Sequence, residues 1–381
     1  MFDSQVWDLD RKEIFADRQS KLVSAAAAAP PRKRLPQRLD LARFYIAREM
    51  YPEAKGVLDV SLADDHAASE DVTASVLRAI TEVMMNRPDA ALKDLANPAI
   101  GDQHDAPLWR AMAYAGQGKW AMARDGFKRV EASIAALPVE LQRAALKTEM
   151  RAAIEVGDFA GAARELNDIE TIGLPYELQP AISVLLGRLN KGMGRKQEAL
   201  AAYRRAADSW DRPSAAQGRL REVALRYALG DLKREEVLSE LEALTTIWRG
   251  DESEIGALEI MARLYTEEGR YRDSFYVMRN AVAAHPGSDM THRIQDQGGV
   301  DIRIAVPCRQ GRRAFGHRCT GFVLRLPRAH TDRPPRRRDD PPPGRSSRLG
   351  RLVGSGFRSS AVSGRSPAAG CRARKWRRDW L

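Results

Sequence analysis

Five short strings in this chain share one shape: "GKWAMA" at Gly118, "GDFAGA" at Gly157, "GRKQEA" at Gly194, "GDLKRE" at Gly230 and "GRYRDS" at Gly269. The glycines are 39, 37, 36 and 39 residues apart. Each follows about a dozen residues of helical pattern and precedes another such stretch. A glycine that closes a helix adopts positive φ without a Cβ penalty, so each marks a turn between paired helices. Five residues after four of these glycines comes a small side chain: Ala123, Ala162, Ala199 and Ser274. Four residues further on comes a large apolar one: Phe127, Leu166, Tyr203 and Met278. Such spacing puts both on one buried helix face. A single helical pair cannot bury that face, whereas stacked pairs share a continuous core.

This pattern resembles the tetratricopeptide repeat (TPR) of proteins of bacterial type, a unit of about 34 residues. One repeat carries Leu258, Met261, Ala262, Tyr265, Gly269, Tyr271, Ser274, Met278, Ala281 and Pro286 at the family's marked positions. Others carry Ala111, Tyr114, Gly118, Trp120, Ala123 and Phe127, and Leu186, Gly187, Gly194, Ala199, Tyr203 and Ala206. Near the start Leu41, Ala42, Tyr45, Tyr51, Ala54 and Leu58 fit, with Glu49 where glycine is usual. The units near residues 72–96 and 216–247 are degenerate. The resemblance implies an all-α fold, a right-handed solenoid of helix-turn-helix pairs. About seven units are expected across residues 30–290, after one N-terminal helix (about 9–28) and a Pro-rich basic link in "SAAAAAPPRKRLP".

The formal charge of +11 points toward nucleic acid, but it is unevenly placed. From Gln297 onward there are 21 basic side chains, 20 of them Arg, against five Asp and no Glu, a net +16. The first 296 residues carry 41 basic and 46 acidic side chains, a net −5. The helical period stops at the same place. Residues 297–381 are therefore expected to form a disordered basic tail, and Arg, Pro and Gly in this excess read as translation out of frame after about residue 296. A genuine tail would bind nucleic acid or an acidic surface through stretches such as "RPPRRRDDPPPGR", Arg333–Arg345. No apolar run reaches the ~18 residues of a membrane span, and the start lacks a signal peptide's apolar stretch. The expectation is a cytoplasmic chain.

Catalytic chemistry finds little support. "GRLNKGMGRK" lacks the spacing of a phosphate loop and a Ser or Thr after its Lys. Cys308, His317 and Cys319 match no close-paired zinc pattern. His66 and His104 sit beside acids in expected loops, with no nucleophile placed near them. No cofactor, metal or enzymatic activity is expected. Trp109, Trp210 and Trp248 lie outside the repeat positions and are open as exposed anchors.

The family lines its groove with the first helix of each unit. The resemblance implies that Arg43, Met112, Arg151, Arg188, Ala224 and Arg263 point into it, with Lys147 and Lys191 nearby. Four Arg among six such positions predict a basic track. Its expected occupant is an acidic peptide, or a C-terminal carboxylate, held by bidentate hydrogen bonds. The expected function is a non-catalytic scaffold or adaptor for a protein partner.

Overall fold

Residues 1–64 and 71–284 are described by the computed structural model. His66, Pro286, the 297–381 tail with its Cys308, His317, Cys319 and Cys371, and the frame shift expected near residue 296 all lie outside the described residues.

Seven turns set the architecture. Gly118, Gly157, Gly194, Gly230 and Gly269 have φ of 73°, 78°, 78°, 82° and 72°, and Glu49 and Asn86 adopt the same left-handed conformation at 61° and 57°. At each turn the next residue donates its N–H to a carbonyl five residues back. The bonds run from Met50 to Tyr45, Arg87 to Glu82, Lys119 to Tyr114, Asp158 to Ala153, Arg195 to Asn190, Asp231 to Arg226 and Arg270 to Tyr265, at 2.8–2.9 Å. This closure satisfies the last carbonyls of one helix while reversing the chain.

The turns divide the chain into seven helical pairs. These are α3 (Pro31–Ala47) with α4 (Tyr51–Asp64), α5 (Val72–Met84) with α6 (Pro88–Leu95), and α7 (Ala106–Gly116) with α8 (Trp120–Lys128). After a short α9 (Glu131–Ala135) come α10 (Val139–Glu155) with α11 (Phe159–Thr171), and α12 (Gln179–Gly192) with α13 (Lys196–Ala207). Then follow α14 (Arg212–Leu229) with α15 (Arg234–Ile247), and α16 (Glu252–Glu267) with α17 (Tyr271–Ala284). Ahead of them lie α1 (Ser4–Lys12) and α2 (Phe15–Ala28). No strand occurs among the described residues. The first helix of each pair packs on its own partner and on the first helix of the next pair. The chain is thus an all-α, TPR-like solenoid.

Small residues let the helices approach. Ala54, Ala91, Ala123, Ala162 and Ala199 are all fully buried on second helices, and Phe127 and Tyr203 fill the space one turn on. Gly187 is the tightest of the helix crossings at the marked positions. A Cβ there would lie 2.4 Å from two carbons of the Tyr203 ring.

The N-terminal region differs from the expectation. Two helices replace one, and the Pro-rich "link" is the first half of α3. Pro31 starts that helix, where its missing N–H is harmless. Pro36 sits inside it and removes one helical hydrogen bond. The helix persists because its second half buries Leu39, Leu41, Ala42, Phe44, Tyr45, Ile46 and Ala47. Arg48 ties α1 down by donating to the carbonyls of Asp10 at 2.6 Å and Glu13 at 2.5 Å.

Candidate binding site on the first helices

A buried ion network fixes the middle of the solenoid. Arg124 on α8 reaches Glu149 on α10 at 2.6 Å, Glu165 on α11 at 3.2 Å and Asp158 in the turn between those helices at 2.8 Å. Asp158 also caps α11 by accepting from Gly161 N at 2.9 Å. That bond and Arg124 hold its carboxyl below the usual range. Burial and the neighbouring Glu165 push Glu149 up to about 7. One guanidinium among three carboxylates leaves Glu149 Oε2 without a partner among the described residues. The network joins the third and fourth pairs, and Glu149 and Glu165 also line a cavity between α10 and α11.

The first helices form the inside of the curve. Arg151, near the end of α10, donates to both carboxylate oxygens of Glu252, in the first turn of α16, at 2.7 and 3.0 Å. These residues are 101 positions and three pairs apart. Such a chord can be closed only from the concave side. A second bridge spans the first and fourth pairs through α1. Trp7 Nε1 donates to Glu140 in the first turn of α10 at 2.9 Å. Arg11 meets the same carboxylate at 3.0 Å and donates to the Ala47 carbonyl, at the end of α3, at 2.7 Å.

Between these bridges lies a cluster of cations. Arg151 stacks on the Trp120 ring, with its guanidinium carbon 4.8 Å from the ring centroid. Arg188 on α12 holds Glu155 at 2.8 Å, and Arg151 approaches the same Glu155 at 3.7 Å. Arg221 on α14 stands beside Arg188 and Arg151, and burial and those like charges lower its pKa. Its Nε has no hydrogen-bond partner among the described residues. Burial and Arg151 likewise lower Lys147, whose nearest acids, Asp211 and Glu49, act only through space.

The remaining residues named from the sequence lie apart. Arg43 is paired with Asp40 at 3.0 Å. Arg263 is 62% exposed and faces Glu267 at 4.0 Å. Lys191 is exposed. Met112 is only 6% exposed, within the main core, so its side chain offers a ligand nothing. Sequence reasoning assigned the inward position of α14 to Ala224 and passed over Arg221. The signal was present: Arg221 lies one turn earlier on the same face. Of the three tryptophans left open, Trp109 is core, Trp248 is half-buried and Trp210 is exposed, stacked on Tyr176 at 5.7 Å. Among the described residues His104 meets the Thr73 hydroxyl, at 3.4 Å. Among the described residues no group of acids, histidines and cysteines is arranged to hold a metal ion, and no helix is long and apolar enough to cross a membrane.

The turns, the small-residue crossings and the ladder of first helices together define a TPR-like helical repeat. No family model matches the chain, and no curated protein matches it. Among solved structures, the TPR domain of P58(IPK) is similar at 20% identity, over 69% of this chain and 77% of that one, with a TM-score of 0.26.

Proposed function

We propose that this chain is a non-catalytic scaffold that holds an anionic segment of a protein partner against the concave face of its first helices. One observation carries the reading. Arg151, Arg188 and Arg221 come together from three successive first helices with fewer carboxylates than guanidinium groups. Cations left short of counter-ions in a recess are stabilised by an incoming anion, and arginine forks bind carboxylates through paired, charge-assisted hydrogen bonds. The repeat supplies a long, rigid inner wall.

Fluorescence anisotropy on a panel of acidic peptides tests this. Charge reversal at Arg151 and Arg188 together should abolish binding, and reversal at Arg263, which is exposed and locally paired, should leave it within about twofold. Arg151→Gln, the milder change, should weaken binding about tenfold. Equal capture by the reversed and native chains would sink the reading.

A further inference from the structure

We propose that Arg151, Arg188 and Arg221 form a subsite for a phosphate monoester carried on the partner peptide, and that Glu252 occupies this subsite in the free protein. This rests on the scaffold reading above and names its ligand.

Free positive charge is unevenly spread along the inner face. Arg43 is neutralised by Asp40 and Arg263 faces Glu267, so the inner face is not a continuous cationic track. Among the described residues uncompensated charge is concentrated where α10, α12 and α14 meet. There three guanidinium groups share two carboxylates, Glu155 and Glu252. These two differ. Glu155 bridges Arg151 and Arg188 from within α10, and its side chain is 25% exposed. Glu252 arrives from three pairs away and is 67% exposed. Exposed pairs of this kind are weak, so Glu252 can leave at little cost. Its own helix does not depend on it, because Asp251 caps α16 by accepting from Ser253 N and Glu254 N.

When Glu252 leaves, three guanidinium groups face one carboxylate, an excess of two positive charges. A single carboxylate compensates half of that. A phosphate monoester carries about −1.5 to −2 at neutral pH on three acceptor oxygens at one point. That matches a compact set of planar donors better than an extended run of acids does. Arg221 is the member that signals a missing partner. It is half-buried, its Nε has no hydrogen-bond partner among the described residues, and the charges of Arg188 and Arg151 act on it together with Glu155. Trp120, stacked under Arg151, is one of seven tryptophans in the chain, and comparison with a Trp120→Phe variant isolates its optical report on the subsite.

The test titrates the full chain with five probes, followed by calorimetry and Trp120 fluorescence. Three are degenerate peptide pools with a fixed centre: phosphoserine, serine, or Glu-Glu. The fourth is a 5′-phosphorylated single-stranded RNA and the fifth is inorganic phosphate. Phosphoserine should bind at least about tenfold more tightly than serine, and clearly more tightly than Glu-Glu. Arg221→Met should erase the advantage of phosphoserine over Glu-Glu. Glu252→Gln, an exposed change that does not threaten folding, should tighten phosphoserine binding about threefold or more by removing the internal competitor. If Glu-Glu binds as well as phosphoserine, the phosphate assignment is overturned and the scaffold reading stands. If no pool binds, both fall. RNA binding that is tighter than any peptide's and is lost in Arg221→Met, or inorganic phosphate binding as tight as the phosphoserine pool's, overturns a peptide source for the anion. Unchanged affinity in Glu252→Gln overturns the role given to that residue.

Discussion

Seven residues carry left-handed backbone at the turns, and only five of them are glycine. Glu49 holds that conformation at a cost of about 1 kcal/mol, and its ion pair with Arg11 spans 3.7 Å on an exposed side chain. Glu49→Gly should therefore raise stability by about 0.5–1 kcal/mol, read as an upward shift in the urea midpoint. Gly187→Ala should do the opposite. Helix propensity favours alanine by about 1 kcal/mol, but the new Cβ would strike the Tyr203 ring, and forced repacking costs about 1–3 kcal/mol. Tyr203 is almost fully buried and has no room to yield, so a net loss in thermal stability is expected. Glu149 makes stability depend on pH. Its carboxyl, ordinarily near 4.5, is raised to about 7 in the fold, so the folded state retains a proton that the unfolded chain has released. Stability should fall as pH rises from about 4.5 to about 7 and level off above that. Denaturant titrations at several pH values should show this decline, and Glu149→Gln should flatten it. A native profile without the decline would contradict the placement of Glu149 in the Arg124 network.

Helices were legible wherever their boundaries depend on local chemistry. Glycine turns and the small-then-large alternation announce the third, fourth, fifth and seventh pairs before any coordinates exist. The second pair was harder, because Asn86 stands in for glycine. Asparagine tolerates the left-handed region well enough to close the same turn, but it carries no such mark in a string. The first half of α3 was obscured in the opposite sense, since its prolines argue for a link and its burial of Phe44, Tyr45 and Ile46 decides otherwise. Pro36→Ala should therefore stabilise the protein, by up to about 3 kcal/mol if the helix is otherwise unchanged. A lower melting temperature in this variant would show that the ring itself packs usefully. The site divides similarly. The ion pairs of Arg43 with Asp40 and Arg263 with Glu267 lie within one helical turn and could be read from spacing. The meeting of Arg151 with Glu252 could not, because it depends on the accumulated curvature of three helical pairs.

That curvature brings the end of α3 opposite the start of α10, and the end of α10 opposite the start of α16. Units three apart are thus brought within side-chain reach. The first approach is bridged by Trp7 and Arg11 of α1 and the second by Arg151 and Glu252. Trp7→Ala should free α1 without melting the repeats, seen as new protease cleavage confined to the first 14 or so residues with the helical circular dichroism of the remainder preserved. Loss of the whole helical signal would mean that α1 is integral to the fold. The Arg151–Glu252 pair has a different consequence. Each turn in the stack is a rigid joint, yet small rotations add along a chain of seven. A solenoid clipped at one point along its inner edge behaves as a coil spring held at a chosen pitch. Whatever replaces Glu252 on Arg151 opens the clip at little cost, and the joints between the fourth and seventh pairs are then free to settle at another pitch. Occupation of a pocket the size of one side chain would then be reported as a change in length between surfaces far from it.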